Sequence, residues 1–153
     1  MKKNTLMIGL LIALAGLLGC TSNSTGDASD TQTKENTIKQ ILAAFNKHDP
    51  DAIMEHFVDD CTFDFPKGPE PWGQRFTGRA QVREAIAGRF KGIPDVHYED
   101  VGHWVAGDKG MSKWMLTGTT TSGDSVNVRI CVLWEFRKDK VTHMDTYWKI
   151  IER

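Results

Sequence analysis

Apolar side chains at Ile38, Ile41, Leu42 and Phe45 recur at i, i+3, i+4 and i+7, the spacing of one helical face, and predict a helix from about Lys34 to Lys47. Asp49-Pro50 then supplies an N-cap residue followed by proline at the first helical position. A short second helix is expected there, carrying Ile53 and Phe57 inward and ending near Asp59-Asp60. The stretch "TFDFP" (62–66) reads as a strand, and "KGPEPWGQRFTG" (67–78) as a loop by its proline and glycine content. A third helix from Arg79 to about Phe90 buries Val82, Ile86 and Phe90 at i, i+4 and i+8. Past Gly92 the period changes. Four β-rich runs, roughly 96–105, 111–121, 125–137 and 141–151, are separated by the turn-like "AGDKG", "SGD" and "KDK". Three helices followed by a curved antiparallel meander make an α+β domain with the helices on one face of the sheet.

The first 33 residues break this picture. Lys2 and Lys3 precede an apolar run from Leu6 to Leu18, about 13 residues long, and then Gly19-Cys20. A basic start, a short apolar core and a small residue before the cut describe a secretory signal, and the run is short of the ~20 residues of a membrane span. "LLGC" at 17–20 resembles the bacterial lipobox, which implies cleavage before Cys20 and a lipid on its sulfur, a membrane partner for the mature chain. The expected organisation is therefore a lipoprotein signal peptide over 1–19, a lipidated Cys20 with a flexible polar tether through 33, and a folded domain over 34–153. Thr21 rather than aspartate after the cysteine resembles lipoproteins of the outer membrane, facing the periplasm, if the source is Gram-negative.

Composition narrows the partners. The 153 residues are 40% hydrophobic and 25% charged, an ordinary globular balance for one core. Net charge is −1; removal of residues 1–19 with their two lysines leaves 17 − 20 = −3. With no basic cluster beyond the first residues, nucleic acid is not an expected partner. His48, His56, His97, His103 and His143 are scattered without ligand spacing and no CxxC or HExxH occurs, so neither a metal nor a cofactor is expected. Cys61 and Cys131 could bridge in an oxidising compartment or stand as separate thiols.

Three stretches, "AAFNKHDPDAIMEHFVDDCTFDFP", "GRAQVREAI" and "LWEF…KVTHMDTYW", together resemble the cone-shaped nuclear transport factor 2-like superfamily, nearest its ketosteroid isomerase and SnoaL-like polyketide cyclase group. The resemblance covers about Ile38 to Arg153. It also implies where catalytic groups would sit. The isomerase base position falls on Phe65, its tyrosine position on Ile41 and its acid position on Val132. The cyclase aspartate position falls on Thr146 and its histidine partner again on Val132. Each of these carries an apolar or hydroxyl side chain here, so either chemistry lacks its usual groups.

Strand parity agrees. Val126, Val128, Ile130, Val132, Trp134 and Phe136 alternate with Asn127, Arg129, Cys131, Leu133 and Glu135, and the first set marks the core face of one strand. In the last strand Met144, Thr146 and Trp148 share one face, and His143, Asp145 and Tyr147 the other, where Asp145 could pair with Arg129. Asp64 is expected to point away from the cavity while Phe63 and Phe65 point in, unless a bulge at Pro66 exchanges the faces.

Three functional readings follow. The first is a binding module for an apolar or aromatic small molecule, its cavity lined by Ile41, Phe63, Phe65, Val132, Met144, Thr146 and Trp148, with Trp72 and Arg75 at the mouth. The second is an acid–base enzyme of the cyclase, isomerase or dehydratase type, with Asp64, His97, His143 and Asp145 as candidates; it fails if Asp64 is fully solvated. The third is an interaction role, a homodimer through an outer sheet face bearing Arg129, Leu133, Tyr147 and Trp104 or Trp114.

Overall fold

The computed structural model describes residues 24–151, with side chains from Ala28 onward. The expected signal peptide and Cys20 lie outside the described residues. Helix α1 runs Ser24–Asn46, α2 Pro50–Met54 and α3 Arg79–Gly92; the strands are β1 Phe57–Glu70, β2 Gly73–Thr77, β3 His97–Ala106, β4 Lys109–Thr119, β5 Ser125–Arg137 and β6 Lys140–Trp148. The six strands form one curved, unclosed sheet in the order β2-β1-β6-β5-β4-β3. Every neighbouring pair is antiparallel except β1 with β6, which is parallel. All three helices pack at one face, giving the expected α+β layering.

Helix α1 begins ten residues before the predicted start, so the segment read as a flexible tether is helical from Ser24 onward. Ala28 is the one apolar side chain of that stretch, too few to betray a period. It is held by polar contacts instead. Thr33 Oγ1 donates to the Ser29 carbonyl and Gln32 to Asn36, and Lys34, only 4% exposed, pairs with Asp30 one turn back. Lys34 Nζ also donates to the Gly107 carbonyl at 2.8 Å, and Thr37 Oγ1 to that of Asp139 at 3.1 Å, seating the helix on two sheet turns. Further along, Ile38, Ile41 and Phe45 bury the predicted face.

At the other end Asn46 grips the edge strand: its Nδ2 donates to the Tyr98 carbonyl and its Oδ1 accepts from the Tyr98 amide, both at 2.8 Å. Asp49 caps α2 as predicted, accepting from the amides of Asp51 and Ala52. The second helix is shorter than expected, and Phe57 is buried on β1 rather than on a helix.

The expected loop 67–78 is a β-hairpin. β1 continues through Pro66 and Pro69 to Glu70 and turns back into β2, with Phe63 opposite Phe76 and Asp64 opposite Arg75. Both prolines sit where the register shifts, between Phe65 and Glu70, so their missing amides cost no regular ladder bond. Gly73 has φ of 87°, and a Cβ there would lie 1.8 Å from the Phe65 carbonyl oxygen, so no other residue closes this hairpin.

The core lies between helices and sheet around Trp114, Trp134, Phe45 and Tyr98; the Phe45 and Tyr98 rings sit 5.1 Å apart. Cys61 is buried and Cys131 half-buried, and both thiols are free. No helix among the described residues is long and apolar enough to cross a membrane.

Candidate functional site

Strands β1 and β6 lie side by side at the middle of the sheet and present opposite chemistry on their two faces. Their parallel register sets Phe63 beside Met144 and Asp64 beside Asp145. The shift near Pro66 comes after Phe65, so parity holds through the aromatic pair. Phe63 and Phe65 face the helices together with Met144, Thr146 and Trp148, while Asp64, His143, Asp145 and Tyr147 face away.

The outer position of Asp64 is not a wet one. Its side chain is buried, 1% exposed, beneath two neighbours. Arg75 on β2 donates through Nε at 2.7 Å and Nη2 at 2.6 Å, a two-point clamp, and His143 Nε2 lies 3.0 Å from the second oxygen. The Arg75 hydrogen bonds hold the Asp64 carboxyl below the usual carboxylate range against the opposing effect of burial, with His143 adding to the depression. A carboxylate so saturated with donors is ionised at neutral pH and has little appetite for a further proton. Beside it, Tyr147 donates to Asp145 at 2.7 Å, which pushes the phenol up. Asp145 stands opposite Leu133, not Arg129, because the β5–β6 register sets Ile130 against Trp148 and so carries Arg129 to Lys149, whose amide donates to its carbonyl.

Three of the four acid–base candidates, Asp64, His143 and Asp145, therefore come together on one face, with Arg75 among them rather than at the cavity mouth. A polar groove of about 410 Å³ passes His143 and Arg75, bordered by Thr62, Glu135 and Arg137. His97 is exposed at the start of the edge strand β3, far along the sheet order from this group. Of the two tryptophans considered for the outer face, Trp104 is exposed there, whereas Trp114 is wholly buried in the core. Among the described residues no cluster of His, Cys, Asp and Glu has the makings of a metal site.

On the inner face, the expected cavity is nearly filled. A void of about 20 Å³ remains between Phe45, Phe63, Phe65, Ala85, Arg89, Tyr98, Trp114, Leu116, Ile130, Met144, Thr146 and Trp148, room for about one water-sized group. Phe63, Phe65, Met144, Thr146 and Trp148 of the predicted lining meet there. Ile41 and Val132 are fully buried packing residues that do not border it. Trp72 is 53% exposed. It borders a different groove of about 630 Å³, between the β1–β2 hairpin and the end of β6, whose walls include Lys67, Val126, Val128, Tyr147, Trp148 and Ile151.

Sequence reasoning missed Arg89 and Tyr98, and considered Trp114 only for the outer face. Arg89 stands three residues after Ile86 and seven after Val82, on the buried stripe of α3, and a charge in that register is the signal that could have found it. Its guanidinium lies 4.7 Å from the Phe65 ring centre and 4.5 Å from that of Trp148. Burial pulls its pKa down from the usual arginine range. It borders both the small void and an open groove of about 370 Å³ formed by Gln74, Phe76, Gly88, Gly92 and Ile93. Tyr98, pushed up to about 12 by burial, remains protonated on the far wall.

The sequence profile of the SnoaL-like domain matches residues 38–144. No curated protein matches the chain significantly. Among solved structures, the chain is similar to a nuclear transport factor 2-like protein of unknown function from Mesorhizobium loti (22% identity, TM-score 0.66, covering 78% of this chain and 93% of that one). It is also similar to a hypothetical protein with ketosteroid isomerase-like fold from Catenulispora acidiphila, solved with trimethylamine (22%, TM-score 0.66, 74% and 85%). A third is TerC, co-crystallised with polyporic acid (18%, TM-score 0.68, 76% and 92%). These likenesses concern the fold.

Proposed function

The chain belongs to the SnoaL-like domain family, and from that premise we propose that it binds an aromatic small molecule at the mouth of its cone. The observation that carries this reading is the Arg89 boundary: one side chain, laid over two aromatic rings, separates a void from a groove of about 370 Å³. A pocket needs apolar walls with a few placed polar groups, and Phe65, Phe76 and Ile93 with Arg89 and Gln74 supply that mix. The void alone admits no ring, so the ligand body occupies the groove. That TerC was crystallised with polyporic acid and the Catenulispora protein with trimethylamine is consistent with many ligands on one fold.

The test is a thermal-shift screen of the full chain against aromatic acids, steroids and fatty acids. A ligand at 100 times its Kd adds ~2.7 kcal/mol of stability, a shift of several degrees. A melt unmoved by every compound would leave the groove as surface and end this reading.

A second reading is acid–base catalysis on the outer face, supported by the contact between His143 and Asp64. Here His143 exchanges the proton and Asp64, held ionised by Arg75, orients the ring. If it is correct, Asp64→Asn abolishes turnover of a substrate found in the screen while leaving its binding intact. Exposed Trp104, Leu133 and Tyr147 on the same face support a homodimer, which sedimentation of the full chain measures.

We also propose that the protein is exported and anchored to a membrane through a lipid on Cys20, at the outer membrane if the source is Gram-negative. The "LLGC" stretch after a basic, apolar start supports this. Labelled fatty acid supplied to expressing cells should enter the wild-type chain and not Cys20→Ser.

A further inference from the structure

The inner face of β6 and the wall of α3 hold an unusual excess of donors. Thr146 Oγ1, Trp148 Nε1 and Trp114 Nε1 are buried and have no hydrogen-bond partner. All three residues border the small void, which Arg89 also borders. Trp134, by contrast, places its indole donor on Ser112 at 2.8 Å, so an unpaired indole is not the rule in this core. The guanidinium of Arg89 faces aromatic rings and is in none of the ion pairs among the described residues. A second cation, Lys67, lies 5.3 Å from the same Trp148 ring. Neither the void nor the groove outside Arg89 has an aspartate or glutamate in its wall.

Leaving buried donors without acceptors is costly, and the half-buried Arg89 beside them has no carboxylate in either wall it borders. Arginine also fits a carboxylate in a two-point fork. We propose that the site is built for an aromatic anion: a carboxylate or enolate oxygen accepts from Arg89 and reaches the void beside Thr146 and Trp148, while the ring lies in the groove against Phe65 and Phe76. The size of the void fits this division, since about 20 Å³ admits one oxygen and excludes a ring. A neutral ligand of the same shape brings no charge to Arg89 and forgoes a charge-assisted hydrogen bond. This inference rests on the binding reading above and names the chemical class it takes.

The experiment compares matched pairs, benzoate with benzamide and 2-naphthoate with 2-naphthamide, by calorimetric titration into the full chain in a neutral detergent, with empty-micelle blanks. At least one acid should bind ten-fold or more tightly than its amide. Arg89→Gln should erase that preference, Arg89→Lys should keep part of it, and Lys67→Gln should leave most of it. Thermal melts and circular dichroism verify that the variants are folded; the wild-type comparison stands without them. Equal affinity of acid and amide for the wild type, or a preference that survives in folded Arg89→Gln, overturns the anion inference and leaves the aromatic-binding reading in place. If neither member of either pair binds at millimolar concentration, both fall.

Discussion

The two faces of the β1–β6 ribbon bury polar groups to a similar depth and treat them in opposite ways. Outside, the buried Asp64 carboxylate is matched atom for atom by Arg75 and His143. Inside, Thr146, Trp148 and Trp114 hold buried polar atoms with no hydrogen-bond partner. A satisfied cluster reads as structure, because its members already spend their hydrogen-bonding capacity on each other. An unsatisfied one reads as a site, because the folded chain carries its desolvation cost without return. The contrast also reorders the candidates: the residues with the most obvious chemistry are the least available, and a threonine hydroxyl and two indoles are the most.

Stability is expected to respond to that contrast with opposite signs. The largest effect is expected from Asp64→Ala, which strands Arg75 and His143. Breaking a buried pair costs 3–5 kcal/mol, and with the Arg75 side chain 49% exposed the loss should sit at the low end, about 3 kcal/mol. Urea denaturation of the full chain measures it; a loss under about 1 kcal/mol would mean the outer cluster is loose.

Next in size is the acid response. The folded pKa of Asp64 is depressed, so its contribution is complete above its unfolded value of about 3.9 and disappears as pH falls through the folded value. The difference in urea midpoint between wild type and Asp64→Asn should hold steady from pH 7 to about 5 and shrink below about 4. A difference that persists at low pH would assign the stabilisation to something other than the ionised carboxylate.

The smallest effect has the other sign. Thr146→Val exchanges an unpaired hydroxyl for a methyl of similar volume and should stabilise the unliganded protein by about 1 kcal/mol while weakening any anion bound at Arg89. Destabilisation by the same substitution would show that the hydroxyl is already satisfied and would blunt the comparison.

Much of this architecture was legible where packing imposes a period. The alternation from Val126 to Phe136 located the core face of β5, and Ile38, Ile41 and Phe45 located that of α1. The failures came where polar contacts or backbone geometry take over. The first ten residues of α1 carry a single apolar side chain, Ala28, so a helix held by Lys34 and its partners left no periodic trace. The β1–β2 hairpin hides behind three prolines and two glycines, which read as loop until the register shift absorbs them. Parity turned Asp64 outward, yet its burial depends on Arg75, eleven residues away across a hairpin read as loop. Arg89 lay in plain register on α3, but a periodicity search counts apolar positions and passes over a charge among them.

The early start of α1 has a mechanical consequence. Its 23 residues form a rod of ~35 Å. The first ten extend ~15 Å ahead of Lys34, where the rod meets the Gly107 turn, with Thr37 on the Asp139 carbonyl just beyond. Lys34 is thus a fulcrum. A sideways load on the helix start is levered onto the β3–β4 and β5–β6 turns, while a load along the axis is borne in shear by the Ile38–Phe45 face. A force applied at Ser24 therefore turns the whole domain with the rod, which leaves little freedom to pivot except by prising Lys34 from its seat.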